Sequence, residues 1–158
     1  MPKSPERLEQ RARNVLLYQL GRSMKTRKQL REIMIRREIP EEIFEPLLDR
    51  FEEAGLYSDS EYARAFVASK LAAGKSVRLI SRELQQRGVS PAIIEEQISG
   101  IEPHMEEKTA TELAVRRYRQ LSKLDAQTRY RRLSGYLYRR GFSSQVVSSA
   151  VRAAEAQG

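Results

Sequence analysis

The chain has 158 residues, 40% of them hydrophobic and 32% charged, with no cysteine, one histidine and a formal net charge of +8. The missing thiols exclude disulfides and thiolate metal sites, and no apolar run reaches the roughly 20 residues a helix needs to cross a bilayer. A mean hydropathy of −0.62 predicts thin cores under much solvated surface, and the basic excess predicts a polyanionic partner, nucleic acid first and an acidic protein surface second.

Taken from the N-terminus, residues 1–7 read as a polar, frayed tail. The opening Met1-Pro2-Lys3-Ser4 starts no signal sequence, so the expected compartment is the cytoplasm. Ala12, Leu16, Leu17 and Leu20 then recur at helical spacing, with Gly21 suited to the position just past a helix end. A second helix spans about Thr26 to Arg37 and turns Leu30, Ile33 and Met34 to one side. A third follows Pro40, carries Ile43, Phe44, Leu47, Leu48 and Phe51, and stops at Gly55; Pro46 inside it removes one backbone donor and predicts a kink. Ser58-Asp59-Ser60-Glu61 has the spacing of a capping box ahead of Tyr62, Ala63, Phe66 and Val67. Gly74 closes that helix, Val77, Ile80 and Leu84 line the next as far as Gly88, and Ser90-Pro91 is a helix start. Pro103-His104 reads as a break. Beyond it come Ala110, Leu113, Ala114, Tyr118 and Leu121, then Tyr130, Leu133 and Leu137, then Val146, Val147, Ala150 and Val151, with a second frayed tail from Ala153. No alternating strand pattern occurs, so the predicted class is all-α.

These helices are one unit written three times. The turns Ile39-Pro40, Val89-Ser90 and Phe142-Ser143 recur at a period of about 50 residues, with apolar residues at matching offsets on both sides. Three tandem three-helix repeats are predicted, over 1–57, 58–105 and 106–158, stacking into an elongated, curved array with a long lateral surface. Such a body suits an extended partner better than a small substrate, and the polar ends suggest a monomer.

Charge is sorted along the repeats. Residues 1–37 hold eleven basic side chains against three acids, 38–62 hold nine acids against Arg50, and 113–158 return to ten basic residues against two acids. One reading lines up Lys25, Arg27, Lys28 and Arg31 with Lys75, Arg78 and Arg82, and with Arg129, Arg131, Arg132 and Arg139, as a basic stripe; Lys70 and Arg116 belong to the same candidate set. The competing reading pairs the acidic third helices with neighbouring basic helices as surface ion pairs. The excess of +8 favours the stripe. Arg37, Arg87 and Arg140 share one repeat position at helix C-termini, where a cation meets the negative end of the macrodipole. Tyr130, on the face of Leu133 and Leu137, is expected in the core, whereas Tyr138 lies off that face and could stack on an unpaired base.

No catalytic constellation is legible. His104 alone cannot complete a histidine metal site or a nucleophile-base pair, no glycine-rich phosphate loop occurs, and Glu52-Glu53 and Glu95-Glu96 are adjacent and so diverge around a helix. The chain is expected to be no enzyme and to need no cofactor or metal. Leu84-Gln85-Gln86-Arg87-Gly88-Val89-Ser90 before Ile93-Ile94 resembles the turn of a DNA-reading helix pair. Its second helix would, however, bring Glu95 and Glu96 toward phosphates. An autonomous basic DNA-binding protein is the alternative reading, and a scaffold whose acidic third helices hold a basic protein is a third.

Gly55-Leu56-Tyr57-Ser58-Asp59, Tyr62-Ala63, Phe66-Val67, Gly74, Ile80, Glu83-Leu84 and Gly88-Val89, in that order, resemble the core signature of the RecX family of recombination regulators. Thr26-Arg27-Lys28-Gln29-Leu30 resembles the family's Ser-Arg-x-Glu-Leu, with threonine and glutamine as departures, and Tyr138-Arg139-Arg140-Gly141-Phe142 resembles its Arg-Arg-Gly-Phe. Lys70 stands where an arginine is more usual, keeping the charge without the planar fork. The resemblance covers nearly the whole chain. It implies a cytoplasmic, non-enzymatic modulator built of three three-helix repeats, lying in the groove of the RecA filament on single-stranded DNA. It further implies restraint of filament growth, ATP hydrolysis, strand exchange and coprotease activity.

Overall fold

The computed structural model describes residues 4–158 and, among them, nine helices and no strand. In chain order they are α1 (Pro5–Arg22), α2 (Arg27–Arg36), α3 (Glu41–Glu53), α4 (Asp59–Ala72), α5 (Val77–Gln86), α6 (Pro91–Ile98), α7 (Pro103–Gln120), α8 (Ala126–Arg139) and α9 (Ser144–Gln157). They form three successive groups of three, the all-α repeat architecture that the periodicity predicts.

Side-chain caps explain most helix starts. Thr26 Oγ1 accepts from the Gln29 amide at 3.2 Å while Gln29 Oε1 accepts from the Thr26 amide at 2.9 Å, a complete capping box. Ser58, Ser90, Asp125 and Ser143 each accept from the amide three residues on, at 3.2, 3.3, 3.1 and 3.3 Å. α3 runs through Pro46, which is exposed, so its ring lies outside the core.

Several local expectations are corrected. α1 continues through Gly21 to Arg22 and ends at Ser23, so Gly21 is a helix-interior residue. Leu17 is 48% exposed, because Ala12 and Leu16 set the buried stripe and Leu17 lies a further 100° round the helix. Tyr130 is 52% exposed, not buried: Leu121 and Leu124 join the core at that end of α8 and the ring stays outside. His104 lies in the first turn of α7 rather than in a linker, with Nε2 3.2 Å from Glu102. Helix also extends into both tails expected to fray. Ser4 caps α1 at Pro5 and α9 reaches Gln157, while residues 1–3 of the N-terminal tail lie outside the described residues.

The chain divides into two compact units, one comprising the residues up to Ala65 together with Leu84–Ile94, the other Phe66–Glu83 together with Glu95–Gly158. The first is built on Leu16, Leu30, Met34, Phe44, Leu47, Leu48 and Phe51, all essentially inaccessible, closed over by Ile39 and Tyr57. The second is built on Ala110, Ala114, Leu133, Leu137, Phe142, Val147 and Val151. Alanine at 110, 114 and 150 permits the close approach of α7 to α9.

Each unit contains one joint between successive repeats, and the two joints share a plan. Thr26 and Ser76, the two fully buried polar residues among those described, are the N-caps of α2 and α5. Thr26 Oγ1 donates to the Arg87 carbonyl at 2.6 Å, and the Ser76 amide donates to the Arg140 carbonyl at 3.0 Å. Arg87 and Arg140 stand at the ends of α5 and α8, so each N-cap meets the second helix of the following repeat at its C-terminus. The first amide of each helix also donates to a carboxylate on the following repeat's first helix: Arg27 N to Asp59 at 2.9 Å, Val77 N to Glu106 at 2.5 Å. Close approach demands glycine. At Gly88 (φ 84°) a Cβ would stand 2.4 Å from Lys28 Cβ, and at Gly141 (φ 92°) 2.4 Å from Ser76 Oγ and 2.6 Å from Leu79 Cβ.

Candidate functional site

The expected basic stripe separates into engaged and open cations. In the first repeat, Arg27 forms ion pairs with Glu45 at 2.7 Å and Asp49 at 2.8 Å, and donates to the Tyr57 hydroxyl at 3.2 Å. Arg31 takes the other oxygen of Glu45 and reaches Glu41 at 3.5 Å. Burial works against the Arg27 cation, yet its hydrogen bonds to Glu45 and Asp49 outweigh this and hold the guanidinium more firmly protonated than usual. Burial likewise opposes the Glu45 charge, and the hydrogen bonds from Arg27 and Arg31 overcome it, so this carboxyl titrates below the usual range. Tyr57, whose hydroxyl donates to the Leu48 carbonyl at 3.0 Å, is pushed up to about 12, chiefly by burial. Lys28 donates to the Gln86 carbonyl at 3.0 Å and Lys25 to Ser23 Oγ. For Arg27 and Arg31, then, the acidic third helix is the partner that α2 meets, and the ion-pair reading holds there.

Elsewhere the set is mixed. Lys70 lies 4.0 Å from Glu83 and over the Phe66 ring. Lys75 is half-buried and lines a cavity of about 290 Å³ with Leu71, Ile101, Met105 and Phe142. Arg129 donates to the Leu124 carbonyl at 2.9 Å with its guanidinium 4.8 Å from the Tyr118 ring centre, which fixes it to the start of α8. Arg140 donates to the Ala73 carbonyl at 2.8 Å, beyond the end of α4, and stacks on Tyr136. A cation does meet a helix C-terminus there, but it belongs to another repeat.

The remaining members are Arg78 and Arg82, one turn apart on α5, Arg116 on α7, and Arg131, Arg132 and Arg139 on α8. All are exposed, and none forms an ion pair among the described residues. On α8 they share the surface with Tyr130 and Tyr138, exposed by 52% and 49%. Gly135 lies between them, with Arg139 Nη1 3.2 Å from where a Cβ would stand, so the guanidinium lies against bare backbone. Arginine forks beside aromatic faces on a helix free of acids can take phosphate oxygens, carboxylates or unpaired bases. By contrast, α6 presents Glu95 and Glu96 to solvent, as the repulsion argument against groove reading requires. Among the described residues no group of three or more acids, histidines or cysteines is placed to hold a metal ion.

Three family models of the RecX protein match in succession: the first three-helix domain over residues 12–51, the second over 58–97 and the third over 106–151. The chain belongs to the RecX family. A regulatory protein RecX of Thermobifida fusca (strain YX) is 41% identical over 150 residues, covering 94% of this chain and 81% of that one. The regulatory protein RecX of Mycolicibacterium smegmatis is 31% identical and covers 93% and 81%. Among solved structures, RecX from Lactobacillus salivarius superposes with a TM-score of 0.78 at 17% identity, covering 96% of this chain and 99% of that chain. Another, of a regulatory protein RecX, gives 0.76 at 24% identity over 89% and 71%. At those identities the structures speak for the fold; the family models and sequence relatives carry the family membership and, with it, a regulatory role. Among the described residues no helix is long and apolar enough to cross a membrane.

Proposed function

We propose that this chain acts on the RecA recombinase assembled on single-stranded DNA and restrains its ATP hydrolysis, strand exchange and coprotease activity, without catalysing a reaction itself. One observation carries the reading: Arg78, Arg82, Arg131, Arg132 and Arg139 stand exposed, with no ion pair among the described residues, on the second helices of two successive repeats. Charge placed this way meets an extended acidic surface, protein or phosphate, without needing a pocket. Family membership turns that general capacity toward recombination, and the exposed Glu95 and Glu96 of α6 weigh against autonomous groove reading.

The test is ATP hydrolysis by the cognate recombinase on single-stranded DNA, titrated with this chain well below one copy per recombinase subunit. A fall at substoichiometric amounts is expected, because one bound copy affects many filament subunits. Unchanged hydrolysis with folded protein would overturn the reading, and tight, salt-steep binding to naked DNA would then favour an autonomous DNA-binding protein.

A further inference from the structure

The two filled joints define what one repeat must offer the next, and the first and third repeats each carry a half of that joint that no described residue fills. The position equivalent to Arg87-Gly88 and Arg140-Gly141 in the first repeat is Arg37-Glu38, at the end of α2. The position equivalent to Thr26 and Ser76 in the third repeat is Asp125, the N-cap of α8. All three residues are exposed. A second copy of this chain is the partner these surfaces would otherwise fit, since a joint that runs head to tail does not close on itself.

Both unfilled halves are chemically altered. Glu38 holds the left-handed backbone of the joint turn (φ 58°) without being glycine, so it keeps the local geometry at a steric cost. At the equivalent Gly88 a Cβ would stand 2.4 Å from Lys28 Cβ, a separation that no packed pair adopts. Thr26 caps its own helix and still has a hydroxyl proton to give to the Arg87 carbonyl at 2.6 Å. Asp125 also caps its own helix, through Oδ2 and the Thr128 amide at 3.1 Å, but its ionised carboxylate has no proton to give and would face a carbonyl lone pair. Hydrogen bonds from the Thr128 side chain and then from its amide lower the Asp125 pKa and keep it ionised. Docking Asp125 on the Arg37-Glu38 turn would also bring two carboxylates together.

We infer that Glu38 and Asp125 are stops: they prevent the repeat joint from propagating between copies of this chain. The inference is independent of what the chain binds. Its test is sedimentation of the full chain over a wide concentration range, comparing the unaltered protein with Glu38→Gly, Asp125→Thr and the double variant. The unaltered chain and both single variants, each retaining one stop, are expected to sediment as one concentration-independent species. The double variant should shift toward two and more chains per particle as concentration rises, and Gln127→Trp, at the position equivalent to Lys28, should reverse the shift. A double variant no more associated than the unaltered chain overturns the inference, as does end-to-end stacking of the unaltered chain.

A converse experiment does not depend on intermolecular affinity. Thr26→Asp with Gly88→Glu installs both stops in a filled joint, and amide exchange at residues 26–29 and 86–89 should accelerate by roughly tenfold or more. Protection equal to the unaltered chain's would show that these residue types do not block the joint, and would equally overturn the inference.

Discussion

Gly88 and Gly55 share a left-handed backbone, with φ 84° and 76°, but differ in surroundings: nothing lies within 4 Å of a Cβ at Gly55, whereas Lys28 Cβ is 2.4 Å from one at Gly88. Gly55→Ala therefore carries only the conformational penalty, about 1 kcal/mol. Gly88→Ala adds displacement of α2 from the end of α5, about 1–3 kcal/mol more on the scale of overpacking. Denaturant midpoints of the two variants should differ accordingly, and equal losses would mean that the joint yields without cost. Tyr57 supplies a second single-residue readout. Its folded pKa of about 12 lies above the ordinary 10.0, mainly through burial. Between these values the unfolded chain has lost a proton that the folded chain still holds, so stability falls as pH rises through that window. Tyr57→Phe should remove this component of the alkaline limb, and phenolate absorbance should show one tyrosine resisting ionisation until the protein unfolds.

At the scale of elements, the periodicity made the repeat legible because Ile39, Val89 and Phe142, the anchor of each turn, are all buried at 3% exposure. The joints were legible in principle too, as a hydroxyl pair (Thr26, Ser76) and a glycine pair (Gly88, Gly141) at matching repeat offsets. What hid them is that each matters only through a helix more than 50 residues away. The charge pattern concealed its internal pairing for a related reason. Arg27 and Arg31 stand four apart on α2, and Glu45 and Asp49 four apart on α3, so two ladders meet face to face. Counted from the helix start, Arg27 and Arg31 correspond to Val77 and Ser81 in α5 and to Ala126 and Tyr130 in α8. The ladder thus belongs to one repeat, and block charge counts cannot show it. Glu45→Gln should lower stability near neutral pH by about 1–2 kcal/mol, since it leaves two partly buried guanidiniums under-partnered. Glu45's pKa is held below its ordinary 4.5, so its contribution is present above that value and lost as pH falls through the lower folded one. The variant's acid limb should accordingly be shallower, and one parallel to the unaltered protein's would remove Glu45 from the acid response.

For the whole molecule, the division between engaged and open cations yields a prediction about function that composition alone could not. If net charge of +8 sufficed, reversing any few arginines would weaken action on a filament alike. The geometry says otherwise. Arg27 and Arg31 are committed to α3, so reversing them should damage the first unit's stability before it alters binding. Arg131, Arg132 and Arg139 are exposed on α8, and Arg78 and Arg82 on α5, so changing them should leave the fold intact. Replacing those five by glutamate should raise the concentration needed for half-inhibition of recombinase ATP hydrolysis by at least tenfold, with an unchanged thermal midpoint. Glutamine at the same positions should give a smaller loss, because it removes attraction without adding repulsion. Salt separates the two acidic surfaces these arginines can meet. If they meet phosphates of a single strand, each one removed should flatten the dependence of log affinity on log salt by about 0.7. If they meet carboxylates on the recombinase, affinity for naked single strands should keep its slope while inhibition is lost. Inhibition that survives the fivefold glutamate change in a folded protein would detach the activity from these two helices and leave Arg116 of α7 and Lys28, which donates to the Gln86 carbonyl, as the remaining exposed members of the basic set.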